Sequence, residues 1–489
     1  MTGACATLTP VTHDRRAPRP GKVAPPALTA EELAQFTGGR LVARSPRPIR
    51  GAAVDSRIVN PGKLFVALPG ERTDGHAFLA PAVERGAAAL LVTRLPDGRA
   101  DLGDVTIVLV PDGLAALHAV AAAWRTRFDP LVVGVTGSIA KTSTKEAIAA
   151  VLGERFVTLK NEGNQNNEIG LPLTVLRLGP EHEAAVLEMG MYAGGEIADL
   201  AAIARPRIGV VTAIQPVHLS RIGTLEAIEQ AKGELLEALP RDGRAVLNAD
   251  DTRVRRMAAR TEARTLTYGF AADADVRADE VRSVGTDGMR FTLLTGDGRL
   301  PVAIPTLGRL AVHNALAGAA TGVAAGLSLD EIASGLARGW SAPHRAELIR
   351  AGGVTIVDDS YNASPASVTA ALDLLGGLPG RRIAVLGEML ELGDGHEAGH
   401  RAVGEAAAAV ADLLVVVGEA AAGIADGAVA AGLAPGRIVR AATRDAALVL
   451  VRPRLRDGDV VLVKASRGIE LDLFVDALRA ELTAGAAVR

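Results

Sequence analysis

The segment 131–152 constrains the fold of this chain more than any other part of it. It reads LVVGVTGSIAKTSTKEAIAAVL, which is an apolar run typical of a buried strand, a turn with a glycine, and a helix that begins with Lys141 and Thr142. The N–H groups of such a turn and the positive end of the helix bind phosphate, the lysine adds a positive charge, and the hydroxyl can ligate Mg²⁺. The segment therefore predicts a nucleotide phosphate loop in an α/β protein.

The segment departs from the strict phosphate-loop pattern, G-x-x-x-x-G-K-[ST]. That pattern requires glycine at positions 135 and 140, where the chain has Val135 and Ala140, and the glycines fall at Gly134 and Gly137 instead. An ordinary strand–turn–helix unit with an exposed lysine is the alternative interpretation. A methyl group at position 140 costs on the order of 1 kcal/mol or more if the backbone there needs a positive φ or approaches a phosphate closely. Weakened nucleotide binding is the hypothesis that follows.

Composition limits the class of protein. The chain has 489 residues, 48% of them hydrophobic and 22% charged, which indicates roughly three domains. A net charge of -3 without a basic run excludes nucleic acid and anionic membrane surfaces as expected partners and favours small polar substrates. The only cysteine, Cys5, excludes a disulfide framework within the chain and a multi-cysteine metal site, so we expect a reducing compartment, the cytoplasm. The longest uncharged apolar stretch, 315–329, is too short for a membrane span.

The chain divides into a tail and three blocks. Residues 1–25 are rich in Pro and Arg and are predicted to be a disordered tail. The block 26–110 is a small mixed α/β unit, whereas 111–342 and 343–489 alternate strands with helices, which predicts mostly parallel open sheets. Within the middle block, 274–305 carries turn signals between alternating apolar runs and predicts an appended hairpin. The predicted fold class is thus α/β with three domains.

Three candidate side chains follow or face the ends of predicted strands, where open α/β sheets bind ligands. Glu188 follows the apolar run AAVL, and it can ligate a hard cation or simply cap a helix or pair with a lysine. His218 lies in the loop after RIGVVTA, where a histidine is more often solvated or structural than a ligand. Lys232 lies among acids in EAIEQAKGELLEAL, and its spacing alone favours i,i+4 pairing on the surface.

Other polar clusters have a functional and a structural interpretation each. The amide-rich run 161–168 suits polar ligand groups or a turn-rich loop. The acids of 358–362 (DDSYN) suit a ribose, hydrated Mg²⁺ or a helix start. The basic segment 464–468 (KASRG) suits a carboxylate or phosphate, or is an ordinary strand-end loop. In the first block, 54–57 (VDSR) and 74–76 (DGH) follow strands and could hold an anionic group.

The order of these segments along the chain carries a resemblance. Between about Leu28 and Leu482 the motifs are DSR, PGKLFVALPGERTDGHAF, TGSIAKTSTKE, GNQNNEIGLPLTVL, LEMGM, VHL, AKGELLEAL, LNADD, HRAEL, DDSYNASP, VLGEMLELG and VKASRG. The chain resembles the Mur ligase superfamily. The motifs GNQNNEIGLPLT and DDSYNASP are similar to those of its branch that ligates D-alanyl-D-alanine, whereas the phosphate loop is shared with all Mur ligases and with folylpolyglutamate synthases.

The resemblance implies a UDP-substrate-binding domain at 26–110, an ATP-binding domain with a P-loop-type, mostly parallel sheet at 111–342, and a Rossmann-like open sheet at 343–489. The residues implied at the ATP site are Gly137, Ser138, Ala140, Lys141, Thr142, Ser143, Asn248, Arg345 and Asp359. Those implied to bind the substrates are Ser56, Arg57, Asp74, Gly75, His76, Asn164, Asn166, Asn167, Tyr361, Asn362, Lys464, Ser466 and Arg467. Those implied to be catalytic are Lys141, Glu188, His218 and Lys232, and those implied at the metal are Thr142, Glu188, His218 and Lys232.

The implied activity is that of an ATP-dependent, ADP-forming carboxylate–amine ligase. A UDP-N-acetylmuramoyl tripeptide would be activated as an acyl phosphate and joined to D-alanyl-D-alanine, in peptidoglycan precursor synthesis and hence in cell wall biogenesis, cell shape, the cell cycle and division. The implied cofactors are ATP, Mg²⁺ (two ions) and a carbamate on Lys232, which would reverse the surface interpretation of that lysine. A cytoplasmic monomer with no nucleic-acid partner and no membrane insertion is expected.

The chain differs from the family pattern at several positions besides Ala140. The family's Gly-x-His-Asn reads Gly308-Arg309-Leu310-Ala311, the loop before His218 reads AIQ where Asn and Gly are usual, and Ala465 replaces a glycine. Two alternatives follow. One is another Mur-type amino acid ligase or a folylpolyglutamate synthase-like ligase, and the other is a non-catalytic paralogue that binds nucleotide.

Overall fold

The computed structural model describes residues 26–70, 73–95, 102–216 and 223–486. The predicted tail at 1–25 and the candidate ligand His218 lie outside these ranges. The described residues form three separate sheets of mostly parallel strands with helices packed against them, so the predicted α/β class is confirmed. No helix within the described ranges is long and apolar enough to cross a membrane.

The first sheet has the strand order β1-β5-β4-β3-β2, with β1 antiparallel to β5 and the other neighbours parallel. The capping box of Thr29 and Glu32 starts the first helix, because each side chain accepts from the other's backbone N–H. The elements of this part are α1 (Ala30–Thr37), β1 (Arg40–Ala43), β2 (Ala52–Ala53), β3 (Leu64–Val66), α2 (Leu79–Glu84), β4 (Ala89–Val92) and β5 (Thr106–Leu109).

The second sheet has the order β14-β13-β12-β11-β10-β9-β6-β8-β7. The next two strands along the chain, β7 and β8, lie on one side of β6, and β9 lies on its other side. Its strands are β6 (Leu131–Thr136), β7 (Thr158–Lys160), β8 (Ala184–Glu188), β9 (Ile208–Val211), β10 (Arg244–Asn248), β11 (Arg264–Gly269), β12 (Val276–Ser283), β13 (Met289–Thr295) and β14 (Gly298–Ile304). Its helices are α3 (Gly113–Arg125), α4 (Lys141–Leu152), α5 (Gly170–Val175), α6 (Glu196–Ala204), α7 (Leu225–Glu237), α8 (Thr252–Arg256), α9 (Arg309–Ala324) and α10 (Leu329–Arg338). The end of β6 is therefore a topological switch point, where open sheets bind ligands.

The third sheet has the order β15-β16-β20-β17-β18-β19, and only β15 runs antiparallel to its neighbour. Its strands are β15 (Glu347–Ala351), β16 (Val354–Asp358), β17 (Arg382–Gly387), β18 (Leu413–Val417), β19 (Ile438–Ala441) and β20 (Val460–Lys464). Its helices are α11 (Pro365–Gly376), α12 (His396–Val410), α13 (Ala422–Ala430), α14 (Arg444–Val451) and α15 (Leu471–Ala486).

The segment 274–305 differs from its prediction. It forms three antiparallel strands rather than one hairpin, and β12 pairs in parallel with β11, so the strands extend the second sheet instead of being appended to it. The two turn signals in the segment account for three strands. Gly288 requires glycine at the first turn, because its φ is +110° and a Cβ there would lie 1.9 Å from the carbonyl oxygen of Ile304.

The packing of the second sheet brings α7 close to the phosphate loop. Every residue of β6 is buried, as its unbroken apolar sequence predicts for a central parallel strand. Gly134 lies in this strand, and a Cβ on it would lie 2.7 Å from the Cδ1 of Leu235. The glycine therefore permits α7 to pack closely on β6, and Lys232 is one helical turn before Leu235.

Candidate active site

The phosphate loop joins β6 to α4, and two residues in it have positive φ. A Cβ on Gly137 would lie 1.9 Å from the Oγ1 of Thr212, so this position requires glycine. Ala140 precedes the helix with a φ of 64° and a ψ of 1°, the left-handed conformation that disfavours a side chain. The sequence predicted strain at position 140 if the backbone there had a positive φ, and the structure shows that it does.

Hydrogen bonds hold the loop against the end of β9. Ser138 donates its N–H to the carbonyl of Ala213 at 2.8 Å, and its hydroxyl both donates to Gln215 O at 3.0 Å and accepts from Gln215 N at 2.9 Å. Thr212 Oγ1 donates to the carbonyl of Ile139 at 2.6 Å. The residues at 213 and 215 thus bind the loop mainly through their backbones, which is compatible with their departure from the family pattern.

Lys141 lies over the loop that precedes it. Its Nζ donates to the carbonyl of Gly137 at 2.7 Å, so the ammonium is held at the mouth of the phosphate cradle. Burial lowers the pKa of Lys141, the charge of Glu188 opposes this shift, and the charge of Arg345 adds to it. Lys141 and Arg345 both line the cleft described below, so the segment before the third sheet faces the same space as the phosphate loop.

Glu188, at the end of β8, is buried, and each of its carboxylate oxygens accepts a hydrogen bond from a protein side chain. Its Oε2 accepts from Thr142 Oγ1 at 2.8 Å, and its Oε1 accepts from Asn166 Nδ2 at 2.7 Å. Asn161 fixes the backbone of the same residue, because it accepts from Glu188 N at 3.0 Å and donates to Glu188 O at 3.2 Å. The oxygens of Thr142 and Glu188 are the donors that Mg²⁺ prefers.

The other predicted amides have mixed roles. Asn167 accepts from Gly170 N at 2.9 Å through its side-chain oxygen and so caps the start of α5. Asn164 is exposed and lines the large cleft described below, and Asn166 lines it as well. Asn161, which was not assigned to the site, therefore contributes to its geometry as much as the predicted amides do.

Lys232 corrects the interpretation drawn from its spacing. It is 3% exposed rather than paired on the surface, and the acids around it bind other groups, as when Glu229 pairs with Arg253 and Arg256. Burial first, and then the charge of Lys141, lower the pKa of Lys232 well below its ordinary value, against the opposing charge of Glu188. The spacing could not predict this, because it does not record that the close packing at Gly134 turns this face of α7 inward.

A polar chain runs from the loop across the second sheet, and its distant members were missed by sequence reasoning. Asn248, at the end of β10, donates to Thr212 O at 2.7 Å through Nδ2. His313 Nε2 lies 3.0 Å from Asn248 Oδ1 and 3.4 Å from Asp250 Oδ2. A histidine in the first turns of α9 was the available signal, but the sequence did not show which strand end it would face.

The third sheet contributes Arg345 through an unusual backbone. The residues on either side of it, His344 and Ala346, both have positive φ, at 59° and 53°. Asp358 Oδ2 lies 2.7 Å from His344 Nδ1, and Asp359 Oδ1 accepts from Ala346 N at 3.1 Å. Two consecutive carboxylates at the end of β16 thus hold both neighbours of Arg345. The sequence predicted a nucleotide contact for Asp359 but not this positioning role.

The remaining predicted residues of the third sheet all line the cleft described below, but they differ in how far protein groups already bind them. Lys464 is buried, and its Nζ donates to Asp359 Oδ2 at 2.6 Å and to Asn362 O at 2.9 Å. Ser466 is also buried and accepts from Leu390 N at 2.9 Å. Tyr361 faces the cleft, where its ring centroid lies 4.0 Å from the guanidinium of Arg345 and 5.5 Å from that of Arg467.

One cleft, with a volume of about 1370 Å³, joins the second and third sheets. A smaller cavity of about 120 Å³ is lined by Lys141 and Lys232. Of the predicted site residues, the cleft is lined by Ser138, Ala140, Lys141, Thr142, Ser143, Asn164, Asn166, Glu188, Asn248, Arg345, Asp359, Tyr361, Asn362, Lys464, Ser466 and Arg467.

The predicted residues of the first block do not line this cleft. Arg57 is exposed and pairs with Asp55, with 2.7 Å between Nη2 and Oδ2. Asp74 accepts from the backbone N–H and the ring Nδ1 of His76, and from Arg94, and these bonds lower the pKa of Asp74. A Cβ on Gly75 would lie 2.8 Å from the backbone of Leu68. The DGH motif therefore has a structural role that the sequence did not predict.

The fold and the cleft define a class of protein, an α/β protein of three sheets in which a phosphate-loop-like turn opens into a cleft between two of the sheets. Three family profiles match this chain: the Mur ligase middle domain at residues 135–322, the Mur ligase glutamate ligase domain at 344–467, and the Mur ligase family catalytic domain at 48–125. The UDP-N-acetylmuramoyl-tripeptide–D-alanyl-D-alanine ligase of Mycobacterium tuberculosis is 38% identical over 94% of this chain and 99% of its own length.

Solved structures agree with the sequence comparison. A crystal structure of MurF from Acinetobacter baumannii superposes with a TM-score of 0.84 at 30% identity, covering 94% of this chain and 100% of that one. MurF from Thermotoga maritima in complex with ADP gives a TM-score of 0.78 at 30% identity, covering 88% and 98%. The chain belongs to the Mur ligase family, in its branch of UDP-N-acetylmuramoyl-tripeptide–D-alanyl-D-alanine ligases.

Proposed function

We propose that this chain is an ATP-dependent, ADP-forming ligase that joins D-alanyl-D-alanine to a UDP-N-acetylmuramoyl tripeptide in peptidoglycan precursor synthesis. The observation that carries the proposal is the single cleft that contains the phosphate loop, Glu188 and Arg345, in a chain that matches a named ligase over 94% of its length. Roles in cell wall biogenesis, cell shape, the cell cycle and division follow from that product.

The reaction has two steps. A carboxylate oxygen of the tripeptide attacks the γ-phosphorus of ATP and ADP leaves, which gives an acyl phosphate. The amine of D-alanyl-D-alanine then attacks the acyl carbon, and phosphate leaves as the amide forms and the nitrogen loses a proton. Phosphoryl transfer of this kind depends on positioning and charge neutralisation more than on covalent help. Lys141 and Arg345 supply positive charge at the γ-phosphate end of the cleft.

We assign the metal to the oxygen donors beside the loop. Thr142 and Glu188 would hold Mg²⁺ with the ATP phosphates, and His218, outside the described residues, is proposed as a further ligand, directly or through water. Within the described ranges no group of three or more His, Cys, Asp or Glu side chains is arranged to hold a metal, so the two proposed ions would also take oxygen ligands from ATP and from water. Bound Mg²⁺ neutralises phosphate charge.

We also propose that Lys232 reacts with CO₂. The neutral amine that burial favours at Lys232 is the nucleophilic form. Its nitrogen would bond to the carbon of CO₂, one C=O π bond would become a C–O⁻, and the nitrogen would lose a proton to solvent. The product, a carbamate, is an anion. It would suit a buried position near Lys141 and the proposed metal better than an ammonium does, and the cavity of about 120 Å³ provides space for it.

The substrate sites and the domain ranges 26–110, 111–342 and 343–489 remain proposals. Ser56, Arg57 and the DGH motif would bind the UDP end. The third sheet and the amide loop would line the tripeptide and dipeptide cleft, through Asn164, Asn166, Asn167, Tyr361, Asn362, Lys464, Ser466 and Arg467. Contact of a substrate with Lys464 would require its pair with Asp359 to open. We further propose that the chain works as a cytoplasmic monomer.

Phosphate release from ATP tests the function. We expect release only when both the UDP-tripeptide and D-alanyl-D-alanine are present, with one phosphate for each amide formed. Lys141→Ala should abolish release, because the loop loses its ammonium. Release with another amino acid in place of the dipeptide would indicate another ligase of the family, and none with any acceptor would indicate a non-catalytic nucleotide-binding paralogue.

A further inference from the structure

His313 lines the cleft, on a helix that departs from the family pattern at Leu310 and Ala311. Its side chain is 14% exposed, and its ring centroid lies 5.1 Å from that of Tyr268 and 5.9 Å from that of Phe270. Phe270, Leu310 and Ala311 line the cleft beside it. Charged groups lie beside these rings as well, since the guanidinium of Arg309 is 3.7 Å from the ring of Phe270 and the Asp250 carboxylate is 3.4 Å from His313 Nε2. A cleft wall that combines aromatic and apolar side chains with a few polar groups suits a planar base.

Backbone groups fix the orientation of the amide that faces His313. Asn248 Nδ2 donates to the carbonyl of Thr212 at 2.7 Å, and Asn248 Oδ1 accepts from the N–H of Asp250 at 2.9 Å. The atom 3.0 Å from His313 Nε2 is therefore the amide oxygen, which can only accept. The other neighbour of Nε2 is the Asp250 carboxylate at 3.4 Å, which accepts from the N–H groups of Phe270 and Ala271.

These contacts decide the tautomer of the imidazole. Two acceptors around Nε2 require that Nε2 carries the proton, so in the neutral ring Nδ1 is the acceptor. Nδ1 makes no hydrogen bond to any residue within the described ranges. A fixed acceptor without a protein partner, in a ring that lines the cleft, is available to a ligand donor.

We propose that His313 Nδ1 reads the base of the nucleotide by accepting from an exocyclic amine, so that the enzyme selects ATP over nucleotides with a carbonyl oxygen at that position. The proposal rests on the proposed function only for the binding of a nucleotide at the phosphate loop. The link from the loop to the base is the chain of hydrogen bonds from Ile139 through Thr212 and Asn248 to His313. A carbonyl oxygen opposite Nδ1 would place two acceptors together and lose the bond.

Comparison of ATP with inosine triphosphate tests this, since inosine has a carbonyl in place of the amine at position 6 of the purine and a proton on the neighbouring N1. Binding is measured by calorimetry without acceptor substrates, and ligation by phosphate release. We expect wild type to bind ATP at least tenfold more tightly than inosine triphosphate, and His313→Ala to reduce that ratio to about threefold or less by weakening ATP, as loss of one buried hydrogen bond implies. An unchanged ratio in His313→Ala, or no preference in wild type, would overturn the proposal.

Two further variants separate reading of the base from folding. His313→Gln can still donate to Asn248 through its amide nitrogen, which leaves its amide oxygen, an acceptor, facing outward, so it should fold and keep the preference for ATP. Arg309→Ala, the matched control on the same helix, removes the guanidinium 3.7 Å from the ring of Phe270 and should weaken both nucleotides equally.

Selective ¹⁵N labelling of histidine gives a readout independent of activity. We expect the Nδ1 resonance of His313 to shift on addition of ATP and to shift much less with inosine triphosphate, and equal shifts would contradict the assignment. Discrimination in binding without any ligation would leave this inference standing while the proposed function fails. Ligation at equal rates with both nucleotides would overturn this inference while the proposed function stands.

Discussion

Ala140 shows how one methyl group sets a testable cost at the residue scale. The sequence predicted strain there only if φ were positive, and the residue has a φ of 64° next to the helix that carries Lys141. A non-glycine residue in this conformation costs about 1–2 kcal/mol. The methyl also lines the cleft at the phosphate cradle.

We expect Ala140→Gly to lower the Michaelis constant for ATP several-fold, because the loop can then adjust to the phosphates without strain. Steady-state kinetics with ATP as the varied substrate measures this. Ala150→Gly is the matched control, since it makes the same change inside α4. Glycine there lowers stability by roughly 1 kcal/mol but removes no group that would contact the nucleotide. Equal ATP constants in wild type and Ala140→Gly would show that the strain does not affect binding.

Lys232 gives a second prediction at this scale, for pH. Because the folded-state pKa lies below the ordinary 10.5, the unfolded chain binds a proton that the folded chain lacks between those two values, and stability rises with pH in that range. We expect Lys232→Met to have a higher free energy of unfolding than wild type at pH 7, and this difference should narrow as the pH rises toward 10.5. We also expect the variant to lose ligation. Denaturant titrations at several pH values measure it.

The control for this variant is Lys160→Met, at a lysine whose side chain is 43% exposed and outside the cleft, which should keep ligation. If Lys232→Met proved less stable than wild type at pH 7, the amine at this position would be shown to stabilise the fold, against the prediction.

At the scale of elements, the end of β16 and the segment before β15 act together. His344 and Ala346 keep their left-handed backbone because Asp358 and Asp359 bind them, and Arg345 is positioned between the two. Strained residues of this kind persist where surrounding contacts determine them. The position of Arg345 relative to Lys141 therefore depends on groups that do not touch the nucleotide.

We expect His344→Gly to reduce kcat/KM for ATP about tenfold, because the bond between His344 and Asp358 that positions Arg345 is lost. About tenfold corresponds to the free energy of one charge-assisted hydrogen bond. Asp358→Asn keeps an acceptor for the imidazole and should lose less. Arg205→Gly is the control, because Arg205 also has a positive φ, 52°, at the end of α6 and does not line the cleft. Wild-type kinetics in His344→Gly would contradict the positioning role.

Element prediction succeeded where the pattern was local. The strand 131–136 and the helix 141–152 follow from an unbroken apolar run and a helix start, and both are confirmed. The three strands within 276–304 were predicted as one hairpin, because the alternation shows strands but does not show that β12 pairs with β11. Sheet pairing between distant segments depends on packing that periodicity does not record.

At the scale of the whole molecule, the proposed monomer can be tested in solution. Among the described residues, the large exposed apolar side chains are spread over the three sheets, as with Ile58, Val157 and Val449, whereas a stable interface usually needs a continuous surface of about 800 Å² on each partner. We expect light scattering after size exclusion to give a mass near 50.2 kDa. Twice that mass, independent of dilution, would contradict the proposal of a monomer.

The sequence by itself determined the fold class, the phosphate loop and, through the order of its motifs, the family. The phosphate loop depends on short-range rules, since its apolar strand, turn and helix start lie within 22 residues of chain, 131–152, and the family depends on the order of motifs that are each short. Only the tertiary structure decided that Lys232 is buried beside Lys141, that two carboxylates hold the neighbours of Arg345, and that His313 faces Asn248. Each of these contacts joins different elements of the fold, separated by 14 residues between His344 and Asp358 and by 65 between Asn248 and His313. Burial and hydrogen-bond geometry, which set pKa and tautomer, exist only once the sheets have packed.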